Sequence, residues 1–131
     1  WWDRLQDRHA NNGIKWFEEL HGDTELPSAM FDSIAENLLQ NALSKRQHES
    51  GIEISVKLTV DRNSPVFSVR DSGQAISPPI AESLLRAPVP SEHGLGIGLY
   101  HAAKQAEESG YALSLAENLP GAVSFTLTPR N

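Results

Sequence analysis

The strongest constraint on what this chain can fold into is an apolar stripe. Met30, Phe31, Ile34, Ala35, Leu38, Leu39, Ala42 and Leu43 recur at three- and four-residue steps. That spacing lines one face of an α-helix, so Pro27 to Gln47 is expected to be a long amphipathic helix, opened by Pro27 and ended near Gly51. Such a helix needs an apolar surface to lie on, and the next segment supplies one. Ile52 to Val60 alternates with period two, and Val66 to Arg70 follows across the turn Asp61 to Pro65, the pattern of a hairpin with one apolar face. Tyr111 to Leu115 and Ala122 to Leu127 read as two further strands around Pro120-Gly121, and Gly13 to Glu18 as a short edge strand before the loop His21 to Thr24. Pro78 to Arg86 reads as a short helix, and Ala87 to His93 is too rich in proline to continue it. A second substantial helix is expected to start within Gly94 to Leu99 and run to about Ser109. The fold class is therefore α+β, a mixed, mostly antiparallel sheet with helices on one face.

At 131 residues this is one domain, long enough to bury roughly two-thirds of its unfolded surface without staples. With no cysteine, a disulfide framework and a thiolate zinc site are excluded. Eleven Lys and Arg against 17 Asp and Glu leave a net charge of −6 with no clustered basic surface, which argues against a nucleic-acid partner. No apolar run approaches the ~20 residues that span a bilayer. The chain opens on Trp1-Trp2-Asp3 and its one methionine is Met30, so it is expected to be cut from a longer protein. Trp1 to Asn12 is then the end of an upstream linker or helix, and residues 13–131 form the domain.

Three features carry chemistry. Asn37 and Asn41 are four residues apart, about 40° around the helix, and Lys45 continues their row. This edge is either a solvated polar face or a set of hard, neutral amide ligands for a Mg²⁺ that also holds a polyphosphate. Asp71-Ser72-Gly73-Gln74-Ala75-Ile76 follows a strand directly. It is either an ordinary turn or a pocket floor, where the carboxylate accepts a hydrogen bond from an exocyclic amine and Gly73 lets backbone approach a planar base. Gly94-Leu95-Gly96-Ile97-Gly98-Leu99 sets alternate glycines before a helix. That arrangement serves a phosphate cradle at a helix N-terminus or a tight helix packing. The spacing departs from the G-x-G-x-x-G dinucleotide fingerprint, and no Gly-Lys-Ser/Thr of a Walker loop follows.

Their order, with Glu36-Asn37-Leu38-Leu39-Gln40-Asn41-Ala42 as an asparagine box, Asp71-x-Gly73, then Gly94-x-Gly96-x-Gly98-Leu99, resembles the catalytic ATP-binding domain of sensor histidine kinases. That domain is in the superfamily of gyrase, Hsp90 and MutL, and the resemblance runs from about Pro27 to Leu127. It implies a two-layer α/β sandwich of the Bergerat type, with ATP between the long helix, the Asp loop and a lid. Asn41 matches the asparagine that helps coordinate Mg²⁺ and phosphates, with Asn37 one turn earlier. Asp71 matches the reader of the adenine amino group, with Gly73 its partner and Ile76 beside it. Gly94, Gly96 and Gly98 match the glycines that contact phosphates as the lid closes, Leu95, Ile97 and Leu99 belong to the same nucleotide-binding segment, and Lys45, one position past the usual basic residue of the box, is expected to contact ATP. The resemblance further implies ATP and Mg²⁺ as cofactors, and transfer of the γ-phosphate to a histidine on a separate upstream dimerisation domain. It also implies a downstream response regulator in a bacterial two-component system, and a cytoplasmic placement in a sensor that is membrane-anchored in many relatives.

The chain departs from the pattern at several points. Ala75 replaces the second glycine of Asp-x-Gly-x-Gly, Ser44 stands where a basic residue is usual with Lys45 one position on, the phenylalanine usual before the lid is missing, and the lid from Pro88 to His93 is short. Limited lid closure and modest nucleotide affinity are the expectation. Hydrolysing superfamily members hold a general-base glutamate at the position of Asn37. An amide cannot accept water's proton, and Glu36 lies about 140° around the helix from Asn41, so little intrinsic hydrolysis is expected. Of the five histidines only His48 precedes an acidic residue, and it lies at a helix end, so the phosphoacceptor is expected upstream of Trp1. The other readings are an anti-sigma-factor-like serine kinase, which generally keeps the carboxylate replaced here by Asn37, and a non-catalytic nucleotide-sensing or interaction module.

Overall fold

The computed structural model describes residues 1–22, 25–88 and 96–130. Along the chain run α1 (Trp2–Arg8), β1 (Lys15–His21), α2 (Ser28–His48), β2 (Ile54–Asp61), β3 (Ser64–Asp71), α3 (Pro78–Ser83), α4 (Gly96–Glu108), β4 (Tyr111–Leu119) and β5 (Ala122–Pro129). The loop residues Asp23 and Thr24, and residues 89–95 of the expected lid and glycine segment, lie outside the described residues.

The five strands form one mixed sheet in the order β1-β2-β3-β5-β4, with β1 parallel to β2 and every other pair antiparallel. The edge strand begins at Lys15 and continues to His21, three residues beyond the expected Glu18, because its whole length pairs in register with Ser55 to Asp61. The hairpin turn is also tighter than the expected five residues. Ser64 pairs with Asp61, leaving only Arg62 and Asn63, both at positive φ (53° and 62°), as a two-residue turn whose twist matches its strands. Pro65 is tolerated within β3 because β5 pairs only from Phe67 onward.

Alternation sorts the sheet into two faces. Ile54, Val56, Leu58, Val60, Phe67 and Val69 are buried beneath the helices, while Ser55, Lys57, Ser68, Arg70, Ser124 and Thr126 line an open, polar groove on the other side. The helix layer is led by α2, whose stripe residues Phe31, Ile34, Leu38 and Leu39 are fully buried. Beside it α4 presents Ala102, Ala103 and Ala106, small enough to bring the two helices close. This is the two-layer α+β arrangement expected from the sequence.

The first helix belongs to the same core. Trp2 and Leu5 are buried, Trp1 packs edge-on against Phe31 and Phe67 at centroid distances of 5.4 and 5.6 Å, and Trp2 packs against Trp16 at 5.6 Å. A polar clasp fixes its C-terminal end to α2. Arg8 Nη2 donates to Asp32 at 2.6 Å and to Glu36 at 2.9 Å, while buried His9 contacts Glu36 through Nε2 at 2.9 Å. Asn12 donates to His9 Nδ1 at 2.9 Å, which leaves the ring proton on Nε2, facing the carboxylate. Burial alone would push Glu36 up, but the hydrogen bonds from His9 and Arg8, with the charge of Arg8, outweigh it and hold the carboxyl below its ordinary value of 4.5.

Two outcomes follow. Leu5→Ala should lower the unfolding free energy by about 2–5 kcal/mol, the cost of a cavity at a fully buried leucine; an unchanged urea midpoint would show α1 to be an appendage. Because Glu36 has a depressed folded-state pKa, its contribution is present above its unfolded value and is lost as pH falls through the folded one. Glu36→Gln should therefore flatten the acid limb of stability measured against pH, most of all below about pH 4.5.

Candidate functional site

The alternation that buries Phe67 and Val69 also turns Asp71, the last residue of β3, toward the helices. The residue is only 4% exposed. A charge so placed must be paired or hydrogen-bonded, and two groups meet it. The ammonium of Lys45 donates to Oδ1 at 2.9 Å, and the backbone N–H of Gly73 donates to the same oxygen at 2.9 Å.

The loop beyond Asp71 has no regular structure but is tied along its length. Ser72 N–H donates to Glu53 O at 3.0 Å, and Ser72 Oγ accepts from Glu53 N–H at 2.8 Å. Gly73 O accepts from Gly121 N–H at 2.9 Å, and Gln74 N–H donates to Glu49 Oε1 at 3.0 Å. Lys45 Nζ donates to Gln74 O at 2.7 Å, so one side chain spans both ends of the turn. At Ile76 the Asn118 amide acts as a surrogate strand, accepting from N–H at 2.7 Å and donating to O at 2.9 Å. Preorganisation of this kind presents a loop to a ligand without an ordering cost at binding.

The opposing wall is α2. Asn37, Asn41 and Lys45 share one edge of it, and the eight helical steps from first to last span about 12 Å. At the far end Gly98 of α4 lies against Asn37, so closely that a Cβ there would stand 2.9 Å from Asn37 Oδ1. At the near end a Cβ on Gly73 would stand 2.7 Å from both Ile52 Cδ1 and Lys45 Cε. At both glycines it is close approach to neighbouring side chains, not φ, that disfavours a Cβ. Asn37 also donates to Ser33 O at 3.2 Å, whereas no hydrogen bond ties the Asn41 side chain among the described residues. The site is thus an elongated wall with a buried carboxylate at one end and the start of a helix at the other.

A profile of the histidine kinase-, DNA gyrase B- and HSP90-like ATPases matches residues 28–131. The chain belongs to that family. It is similar to the sensor protein LytS of Bacillus subtilis (strain 168), with 31% identity over 77 residues, which are 59% of this chain and 13% of LytS. Its fold is similar to the catalytic domain of the histidine kinase ThkA, with a TM-score of 0.73, 18% identity, and coverage of 98% of this chain and 86% of that one. It is also similar to full-length ShkA in complex with AMPPNP, with a TM-score of 0.69, 19% identity, and coverage of 97% and 27%. At these identities the structural likeness is one of fold.

Within this family fold, the expected site residues separate into groups. Asp71, Gly73 and Lys45 meet at one end of the wall and Asn37 and Gly98 at the other, with Asn41 between them on α2 and the backbone of Ile76 beyond the Asp loop. Lys45 stands at the carboxylate end. Ile97 is half-exposed, and Leu99 is buried in the core under α4. Gly96 opens α4, and Gly94 and Leu95 lie outside the described residues. Glu36 points away from Asn41 into the α1 clasp, as its position around the helix requires. Among the described residues no group of three or more acidic, histidine or cysteine side chains is gathered to hold a metal.

Sequence reasoning missed Asn118, Glu49 and Gly121, which hold the Asp loop from 42, 25 and 48 positions away. Of these only Gly121 carried a local signal, as the expected turn glycine. Asn118→Ala strands the Ile76 N–H and should lower the free energy of local opening by about 1–3 kcal/mol. Hydrogen exchange would show it as faster exchange at Ile76 with β3 and β5 amides unaltered.

Proposed function

We propose that this chain is the ATP-binding catalytic domain of a two-component sensor histidine kinase, which holds Mg²⁺-ATP along α2 and delivers its γ-phosphate to a histidine on a separate upstream dimerisation domain. The observation that carries the reading is the nearly buried Asp71 carboxylate, aimed toward the helix layer from a loop whose backbone is tied on both sides. Such an acceptor recognises an N–H donor on a flat ligand, and adenine carries one. The AMPPNP of the ShkA complex and the sensor role of LytS support the same assignment.

Asp71 accepts from the adenine amine in this reading, and Gly73 gives the base room. The donor chemistry fits a magnesium ion, since an Asn41 amide without a hydrogen bond among the described residues offers one hard oxygen and phosphates and water supply the rest. Bound there, Mg²⁺ would neutralise phosphate charge, and Asn41 with Asn37 would orient the polyphosphate toward the start of α4. No carboxylate occupies the position of Asn37, and Glu36 is engaged by Arg8 and His9, so the chain would hold ATP with little hydrolysis until an acceptor arrives. The acceptor histidine, the response regulator, and a cytoplasmic position in a bacterial sensor complete the proposal. No helix among the described residues is long and apolar enough to cross a membrane.

One observation favours a second reading, a non-catalytic module: Asp71 already has a partner in Lys45. Calorimetric titration with a non-hydrolysable ATP analogue, with and without Mg²⁺, decides between them. The kinase reading expects metal-enhanced binding, an enhancement blunted by Asn41→Ala, poor competition by GTP, and about a tenfold to hundredfold loss for Asp71→Asn as a charge-assisted hydrogen bond is removed. Absence of binding by the folded chain would favour the non-catalytic module, and equal affinity for GTP would remove the adenine assignment.

A further inference from the structure

Lys45 does more than accompany Asp71. Its ammonium donates to Oδ1 at 2.9 Å and to Gln74 O at 2.7 Å, and its Cε lies 2.7 Å from where a side chain on Gly73 would begin. The stem therefore covers the face of the glycine that would admit a base, and the ammonium occupies an acceptor that a base would need. Asp71 Oδ1 takes Lys45 and the Gly73 N–H together, which fills the two lone pairs of that oxygen. The pair is largely shielded from water, with side-chain exposures of 19% for Lys45 and 5% for Asp71, so solvent screens it less than a surface pair.

We propose that Lys45 sets the nucleotide affinity of this chain as a built-in competitor, its ammonium standing where the exocyclic amine of the base would donate. This rests on the reading of Asp71 as the base acceptor. Binding then exchanges one N–H donor for another at Asp71, with Lys45 swinging off the loop toward solvent along the exposed edge of α2. Free chain with Lys45 in place is not competent, so the apparent dissociation constant is raised by the fraction of molecules in which the pair is closed. At the base end of the wall, Lys45 is placed to govern access by the base.

The test measures affinity for adenosine and for a non-hydrolysable ATP analogue with wild-type chain, Lys45→Met and Lys45→Gln. If Lys45 competes with the base, both ligands bind Lys45→Met more tightly by the same factor, about tenfold if the closed pair holds about nine molecules in ten. Lys45→Gln, still a donor but uncharged, should fall between. A loss of ATP-analogue affinity with adenosine unchanged would make Lys45 a phosphate ligand, and equal losses for both would make it a wall of the pocket; either overturns the proposal. Removing one partner of a shielded pair strains folding, so a second measurement uses the unaltered chain. Acetic anhydride should acetylate Lys45, read by peptide mass spectrometry, several-fold faster with adenosine bound than without. Unchanged or slower labelling at saturating adenosine contradicts the exchange. If neither wild type nor variants bind any nucleotide while folded, the nucleotide reading itself fails, a result distinct from tight binding that ignores Lys45.

Discussion

A carboxylate stands where the alternation of the central strand calls for a core side chain, and the rest of the site is arranged to meet its demands. Asp71 follows Phe67 and Val69 on the buried face of β3, flanked in register by Ile54 and Val123. An ionised group in that position must have donors. The chain supplies them from two directions, with the turn backbone at Gly73 curling back and Lys45 reaching down from α2. Helix and sheet are thereby joined by an ion pair across a layer held mainly by apolar contact.

The scaffold keeps these groups fixed by means that have little to do with chemistry. The apolar stripe of α2 settles the rotation of that helix, and the Asn37–Asn41–Lys45 row must then lie along one edge. Alanines on α4 let it approach until Gly98 lies against Asn37. The β4–β5 hairpin reaches past the sheet edge to hold the Asp loop through Asn118 and Gly121. At the opposite end of α2, the clasp of Arg8 and His9 on Asp32 and Glu36 occupies the carboxylate next in sequence to Asn37. The acid group nearest the proposed phosphate end is thus committed to structure.

Much of this was legible in the sequence because it depends on local period. The stripe placed α2 to within a residue at each end, the alternation from Ile52 gave β2 and its hairpin, and the asparagine row and Asp-x-Gly were visible as spacings. What depends on pairing across the chain was not. Nothing local in Tyr111 to Leu127 shows that β5 inserts between β3 and β4, or that β1 runs parallel to β2. The burial of Trp2, Leu5 and His9 depends on aromatic and acidic partners in α2 and the sheet, so a short polar-looking segment gave no sign of joining the core. Lys45 could be put on the right edge of α2, but its partner 26 residues away decides which end of the site it serves.

In the proposed function a ligand lies between α2 and the Asp71 loop, on the helix side of the sheet. The most direct measurement is a two-dimensional ¹⁵N NMR titration of the chain with a non-hydrolysable ATP analogue and Mg²⁺, with side-chain amides observed as well as backbone. Shifts are expected to concentrate at Gly73, Gln74 and Ile76, at the side-chain amides of Asn37, Asn41 and Asn118, and at Gly98. Shifts confined to Lys57, Ser68, Arg70 and Thr126, on the open face of the sheet, would contradict that placement.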